Sequence, residues 1–346
     1  MTTATPIRPE GPASDRPDDS PSDRVTGTLG RAITAGLRAA LEADPKVILM
    51  GLDIGKLGGV FRITDGLQKD FGEHRVLDMP LAESGMVGTA FGLALRGYRP
   101  VVEIQFDGFV YPAFDQIVSQ VAKIRYRTAG LVGAPMVIRI PYGGGIGAVE
   151  HHSESPEAYF AHTAGLRVVA PSTPHDAYWM IQQAVTSDDP VIFFEPKRRY
   201  WDKGAWSPAA PDLPLDRARI MRMGTDATVV TYGSTVGTAV LAAEVAEQEG
   251  RSLEVVDLRS LSPLDMDTVC RSVRRTGRLV VAHEDTGFLG IASEIAAQVS
   301  RDCFYSLEAP VERVTGFHVP YPAARLERHH LPDVDRILAG VDAVLR

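Results

Sequence analysis

Strand-like and helix-like segments alternate along this chain, stop once, and then resume, which limits the fold to two domains of helix-covered, mostly parallel sheet. Short β-branched runs bounded by Gly or Pro predict strands at Val47 to Gly51, Val76 to Asp78, Val101 to Phe106, Met136 to Ile140, Arg167 to Ala170 and Val191 to Glu195. Helical patterns lie between them. In Pro112 to Arg127, for example, Phe114, Ile117, Val118 and Val121 recur at helical spacing and form one apolar face. Strands separated by helices are joined by crossovers, so neighbouring strands run parallel.

Pro208, Pro211 and Pro214 interrupt regular structure in Trp201 to Asp216. Beyond them the same grammar restarts, with strands at Thr228 to Tyr232, Leu253 to Leu258 and Arg278 to His283. Helices are expected at Thr238 to Gln248, Met266 to Arg275 and Ile291 to Arg301, with Gly250 and Gly277 at helix-terminating places. The expected organisation is a tail at 1–23, an α/β domain at 24–200, a linker at 201–217 and a second α/β domain at 218–346. The tail carries Pro6, Pro9, Pro12, Pro17 and Pro21 with no aromatic residue, and reads as disordered. Its acids, Glu10 to Asp23, and its lack of an apolar core argue against transit and secretory peptides.

Charge and composition exclude several partners. A net charge of −8 over 346 residues, with Lys197-Arg198-Arg199 the one dense basic run, leaves no stripe for nucleic acid. Apolar stretches such as Val87 to Leu95 fall well short of the ~20 residues of a membrane helix. Cys270 and Cys303 lack metal or disulfide spacing, which suits a reducing cytoplasm. The chain also contains no asparagine. Any site that needs an Asn ligand must obtain it from another molecule.

Familiar chemical motifs fail on inspection. Gly143 to Gly147 lacks the sixth position of a dinucleotide loop and runs into Glu150-His151-His152. Gly51 to Leu57 has the wrong spacing for a phosphate loop and Leu57 where Ser or Thr would hold magnesium. Gly233 to Gly237 has Thr235 in place of a nucleophilic Ser, and adjacent histidines without nearby cysteines do not make a zinc site. Two segments remain. Pro80 to Gly85 puts Glu83 directly after a strand, either as a first-turn carboxylate complementing the helix dipole or at the sheet edge where α/β folds bind ligands. Gly143 to Glu157 is either a solvated loop capped at Ser153 or Ser155, or a glycine loop whose His151 and His152 handle protons near neutral pH.

With these residues the chain resembles the β chain of the E1 component of 2-oxo acid dehydrogenase complexes, from about Thr28 to its end. The blocks that carry the likeness include Gly58 to Arg62, Pro80 to Ser84, Glu103 to Phe106, Tyr111 to Gln116, His152 to Ala158, Phe194 to Lys197, Asp257 to Arg259 and Leu307 to Pro310. Within the family it is most similar to branched-chain β chains, through Glu103 to Phe106, Tyr111 to Gln116 and Phe160 to His162. The resemblance implies a pyrimidine-binding transketolase-like domain followed by a transketolase C-terminal-like domain. It also implies half of a thiamine diphosphate enzyme, in which an α chain holds Mg²⁺ and the diphosphate through a Gly-Asp-Gly motif and an Asn. This sequence has neither.

Residue by residue, the resemblance makes Glu83 the carboxyl that bonds the pyrimidine ring nitrogen, Leu81 and Phe109 the residues packed on that ring, and His152 the histidine facing the reacting carbon. Some β chains hold K⁺ with backbone carbonyls, which implicates Ala134, Met136, Val137, Ala184, Ser187 and Asp189. Leu52 stands where the family usually carries an acid, with Asp53 next, so an acidic relay between paired sites is not carried over. The implied enzyme is an α2β2 assembly that decarboxylates a branched-chain 2-oxo acid and transfers the acyl group to lipoyl on an E2 core. Pyruvate or acetoin is the alternative substrate, and a non-catalytic scaffold that binds E2 is the alternative of another class. A stand-alone enzyme is not expected, because two domains leave no room for a diphosphate domain.

Overall fold

The computed structural model describes residues 24–346; the tail expected at 1–23 lies outside the described residues. The chain opens with β1 (Val25–Thr28), and Thr28 caps α1 (Leu29–Ala43) by accepting the Arg31 N–H at 3.3 Å. There follow β2 (Val47–Gly51), α2 (Leu67–Phe71), β3 (Val76–Asp78), α3 (Glu83–Leu95) and β4 (Arg99–Glu103). After a broken helical stretch come α4 (Ile124–Arg127), β5 (Val137–Tyr142), α5 (Glu157–Ala161), β6 (Arg167–Val169), α6 (Pro174–Thr186), β7 (Val191–Pro196) and β8 (Lys203–Trp206). The second half runs β9 (Arg219–Arg222), β10 (Ala227–Thr231), α7 (Val236–Gln248), β11 (Leu253–Asp257), β12 (Ser260–Ser262) and α8 (Met266–Thr276). It ends with β13 (Leu279–Thr286), α9 (Ile291–Asp302), β14 (Glu312–Gly316), α10 (Ala324–His330) and α11 (Val334–Leu345).

Two mostly parallel sheets result, as the alternation predicts. One has seven strands in the order β12-β6-β7-β5-β4-β2-β3, the other five in the order β14-β13-β10-β11-β9. Within these two sheets, among the described residues, β12 and β9 at the sheet edges are the strands that run antiparallel to their neighbours. The central strands β2, β5 and β7 are buried along their whole length, which is why they read as unbroken apolar runs. Helix α1 buries Leu29, Ile33, Leu37 and Leu41, spaced by four, against α6 and the sheet. No helix among the described residues is long and apolar enough to cross a membrane.

Two local expectations need correction. Pro112 to Arg127 is not one α-helix: a 3₁₀ stretch (Asp107–Ala113) is followed by a π turn (Gln116–Gln120), a second 3₁₀ turn (Val121–Lys123) and α4. Pro112 cannot donate to an α-type ladder, and the π turn takes up an extra residue, yet Ile117 and Val121 still point into the core. The stretch read as free of regular elements contains β8, which pairs antiparallel with β1 and buries Trp206 against Tyr178. Four residues of small and mixed type carry too little alternation to be recognised.

The two halves are joined by more than a connection. Strand β12 comes from the second half but completes the first sheet beside β6. Buried Arg259 donates to Asp176 on α6 at 2.8 Å, and Arg219 donates to the same carboxylate at 2.7 Å.

Candidate active site

Strands β3, β2, β4, β5 and β7 lie side by side and parallel in one sheet, so the segments that follow β3, β4, β5 and β7 emerge at one edge. That edge is where open α/β sheets hold ligands. The turn after β3 carries Leu81 and Glu83. Glu83 is the first residue of α3 and is buried at 8% exposure, although no donor among the described residues reaches its carboxylate. Leu81 is 69% exposed.

After β4 come Phe106 and Phe109, and after β5 comes the glycine loop that ends in the turn Glu150–His152. His152 stacks on Phe106 with ring centroids 4.0 Å apart and meets Phe109 edge-on at 5.2 Å. Its Nδ1 is buried without a hydrogen-bond partner. Burial lowers its pKa below the usual histidine value, which favours the neutral ring at neutral pH. The structure therefore brings Phe109 and His152 together. Leu81 and Glu83 sit on the adjoining turn, joined to them through the packing of α3 on the Asp107–Ala113 turn.

Sequence reasoning missed the residues beneath the histidine. Lys197, at the end of β7, and Asp107, after β4, form an ion pair with both side chains wholly buried. Lys197 Nζ also donates to the His152 carbonyl at 2.6 Å, and Asp107 Oδ2 accepts the Glu154 N–H at 2.8 Å. Burial pushes the Asp107 carboxyl up to about 6, against the opposing pull of Lys197. The available signal was positional: a lysine directly after a fully buried strand must find a carboxylate. Deeper in the same sheet, Arg139 on β5 donates to Glu103 at 2.6 Å and to Glu195 at 2.6 and 2.9 Å, and Tyr200 Oη donates to Glu195 at 2.5 Å. These bonds cross β4, β5 and β7 and give a physical reason for the Glu103 and Glu195 blocks.

The glycine loop has its own explanation. The Glu327 carboxylate of α10 accepts the N–H groups of Gly145 at 2.6 Å and Gly147 at 3.1 Å, while Tyr321 Oη donates to Glu327 at 2.7 Å. A carboxylate of the second half thus occupies the anion nest that a phosphate would need. A Cβ at Gly143 or Gly144 would overlap the side-chain ends of Glu284 and Tyr321, which would have to shift, and at Gly143 a φ of +83° itself favours glycine.

The backbone of the six residues implicated in K⁺ binding is tied into the chain's own hydrogen bonds, each carbonyl keeping a second lone pair. The carbonyls of Ala134, Met136 and Ala184 accept the N–H groups of Met136, Val191 and Ser187 at 2.8, 3.0 and 3.2 Å. Ser187 O accepts Arg99 at 3.0 Å, Asp189 O accepts Ser187 Oγ at 2.9 Å, and Val137 lies inside β5 between two paired strands. Nearby, Arg99 pairs with Asp188 and Arg125 with Asp189. Among the described residues no group of three His, Cys, Asp or Glu side chains could hold a metal ion.

Comparison with known proteins agrees with this architecture. Residues 27–202 match the pyrimidine binding domain of transketolase and residues 216–337 the transketolase C-terminal domain. The chain is 64% identical over 326 residues to a protein of Leifsonia xyli subsp. xyli named pyruvate dehydrogenase E1 component subunit beta, covering 94% of this chain and 97% of the other. It is 53% identical over 337 residues to a Mycobacterium tuberculosis protein named 3-methyl-2-oxobutanoate dehydrogenase subunit beta, covering 96% and 97%. Among solved structures, a split-gene transketolase described as an inactive β4 tetramer aligns with a TM-score of 0.75 at 25% identity, covering 92% of this chain and 98% of that one.

Proposed function

The chain belongs to the β subunits of the E1 component of 2-oxo acid dehydrogenase complexes, and from that premise we propose that it forms the pyrimidine-side half of an α2β2 enzyme acting on a branched-chain 2-oxo acid. The observation that carries the reading is the placement, on adjoining turns at one sheet edge, of a mostly buried Glu83 whose carboxyl has no partner among the described residues and of an aromatic-walled imidazole at His152. A shared pyrimidine nitrogen would complete the Glu83 carboxyl, and exposed Leu81 and half-buried Phe109 supply apolar surface for the ring. Thiamine diphosphate, when bound, supplies the electron sink for decarboxylation. The metal and diphosphate fall to the α chain, because this sequence has no asparagine and no Gly-Asp-Gly.

Each residue then has a task at a stated atom. Glu83 would hold a proton between its carboxyl and the pyrimidine nitrogen. His152 keeps Nδ1 buried and unpartnered, while its open Nε2 would take up a proton and give it to the departing lipoyl sulfur as the S–S bond breaks during acyl transfer. Phe106 and Phe109 pack against two sides of the ring and orient it.

The branched-chain preference is supported by the blocks Glu103 to Phe106, Tyr111 to Gln116 and Phe160 to His162. Pyruvate is the second reading, favoured by the name of the 64% identical relative. The test is reconstitution with the α chain, followed by decarboxylation assays over a panel of 2-oxo acids. Faster turnover of branched substrates is expected. Preference for pyruvate would transfer the assignment to it, and cofactor binding without turnover of any 2-oxo acid would leave a scaffold.

A further inference from the structure

Resting on the role just assigned to His152, we propose that Lys197 and Asp107 are a positioning pair that sets the place of the His152 ring. Lys197 grips the histidine in two ways. Its Nζ donates to the His152 carbonyl at 2.6 Å, and its charge lies 5.6 Å from the centre of the Phe106 ring, on which the imidazole stacks at 4.0 Å. Asp107 takes the other side: Oδ1 pairs with Lys197 while Oδ2 accepts the Glu154 N–H at 2.8 Å. Together they fix the backbone on both sides of Ser153, which is itself buried.

A role in stability alone explains the pair poorly. Burying one ammonium and one carboxylate costs desolvation that their attraction barely offsets, and apolar residues of similar volume often serve stability as well. What an apolar pair cannot do is hold a carbonyl and an N–H two residues apart in one geometry. It also cannot place a cation near the imidazole. The charged and titratable groups around that ring are Lys197, with Asp107 behind it, together with His151 at 4.4 Å between ring centres and Glu150, whose carboxylate lies 3.6 Å from His151 Nδ1. Lys197 and His151 oppose protonation of the ring, and Glu150 favours it.

The test uses the α-reconstituted enzyme and two variants, the double exchange Lys197→Met with Asp107→Asn, and Asp107→Asn alone. Acyl transfer to a lipoyl domain is assayed beside the rate at which diethyl pyrocarbonate modifies His152, followed against pH by peptide mass spectrometry with exposed His151 as the internal reference. The double variant should lose ~10²-fold in acyl transfer, the scale of a displaced reacting group. Adding His152→Ala should lower it little further, because the residues act as one unit.

The modification profile gives the sharper result. Removing the cation should move the His152 midpoint to higher pH, whereas Asp107→Asn, which leaves the cation less compensated, should move it to lower pH. Opposite shifts at His152, with His151 unmoved, are not produced by a general loosening of the fold. Unshifted profiles, or shifts of the same sign, in assembled variants would overturn the proposal, as would fully additive losses of acyl transfer. Should the double variant fail to assemble, the Asp107→Asn profile alone decides. If His152→Ala by itself keeps full acyl transfer, the catalytic reading of His152 fails, and the modification profiles still decide the pair.

Discussion

Gly108 and His151 meet backbone to backbone: a Cβ on Gly108 would lie 2.8 Å from the His151 Cα and overlap the His151 carbonyl oxygen. The turn after β4 and the histidine turn after β5 therefore pack at a distance that only glycine allows.

Gly108→Ala should push the histidine turn off Phe106 while leaving the sheet beneath it intact. Acyl transfer is expected to fall by ~10²-fold, as for a reacting group moved by about 1 Å, with normal assembly with the α chain. Both are read from the reconstituted enzyme. A Gly108→Ala enzyme with unchanged acyl transfer would show that the turn has slack.

The fold was largely legible because parallel strands buried on both faces leave unbroken apolar runs, as at Val47–Gly51 and Val191–Pro196. Glu83 and His152 could be singled out because each follows a strand and resists a simple structural explanation. Lys197 could not, because a lysine in Lys197-Arg198-Arg199 looks like solvated charge until the strand order brings β7 beside β5 and, next along, β4 with the Asp107 that follows it. The glycine loop was misleading for a related reason. Its composition reports the approach of Glu284, Glu327 and Tyr321 from a distant part of the chain, and no local pattern records a partner some 130 to 180 residues away.

Glu83→Gln keeps the shape of the side chain but removes its acid. If the carboxyl holds a proton against the pyrimidine, turnover should fall by ~10²-fold or more, and exchange of the cofactor's acidic carbon-bound proton with deuterium should slow in step. The alternative, a carboxylate complementing the α3 dipole, predicts only a change of about 0.3–1 kcal/mol in stability. Exchange at the wild-type rate would select that alternative.

His283 provides a pH dependence separate from catalysis. Its ring is wholly buried, stacks on Tyr232, and accepts the Ala292 N–H at Nε2 at 3.3 Å, so protonation at Nε2 would break that bond. Burial holds its pKa down to about 4, against about 6.5 in the unfolded chain. Between those values the unfolded state binds the extra proton, so stability rises with pH across the window and is lost as pH falls from about 6.5 toward 4. The contribution at stake is on the order of 3 kcal/mol. Denaturant midpoints of the wild type and His283→Gln, compared between pH 4 and 7, should diverge most at neutral pH and converge on acidification. Parallel curves would remove His283 as the cause.

His152 separates two stages of the reaction. Acyl transfer requires a proton for the departing lipoyl sulfur, and an imidazole whose Nε2 is open can take up a proton and supply it as imidazolium when the S–S bond breaks. An artificial electron acceptor needs no such proton, so dye-coupled decarboxylation reports the earlier steps alone. His152→Ala should therefore reduce acyl transfer to a lipoylated domain by roughly 10²- to 10⁴-fold, with a much smaller effect on the dye assay. His151→Ala should be tolerated better, since the His151 ring is exposed and it is His152 whose ring stacks on Phe106 and whose carbonyl Lys197 holds. Equal losses in both assays would move His152 into decarboxylation itself. Full activity in both would return this turn to a solvated loop held in place for packing alone.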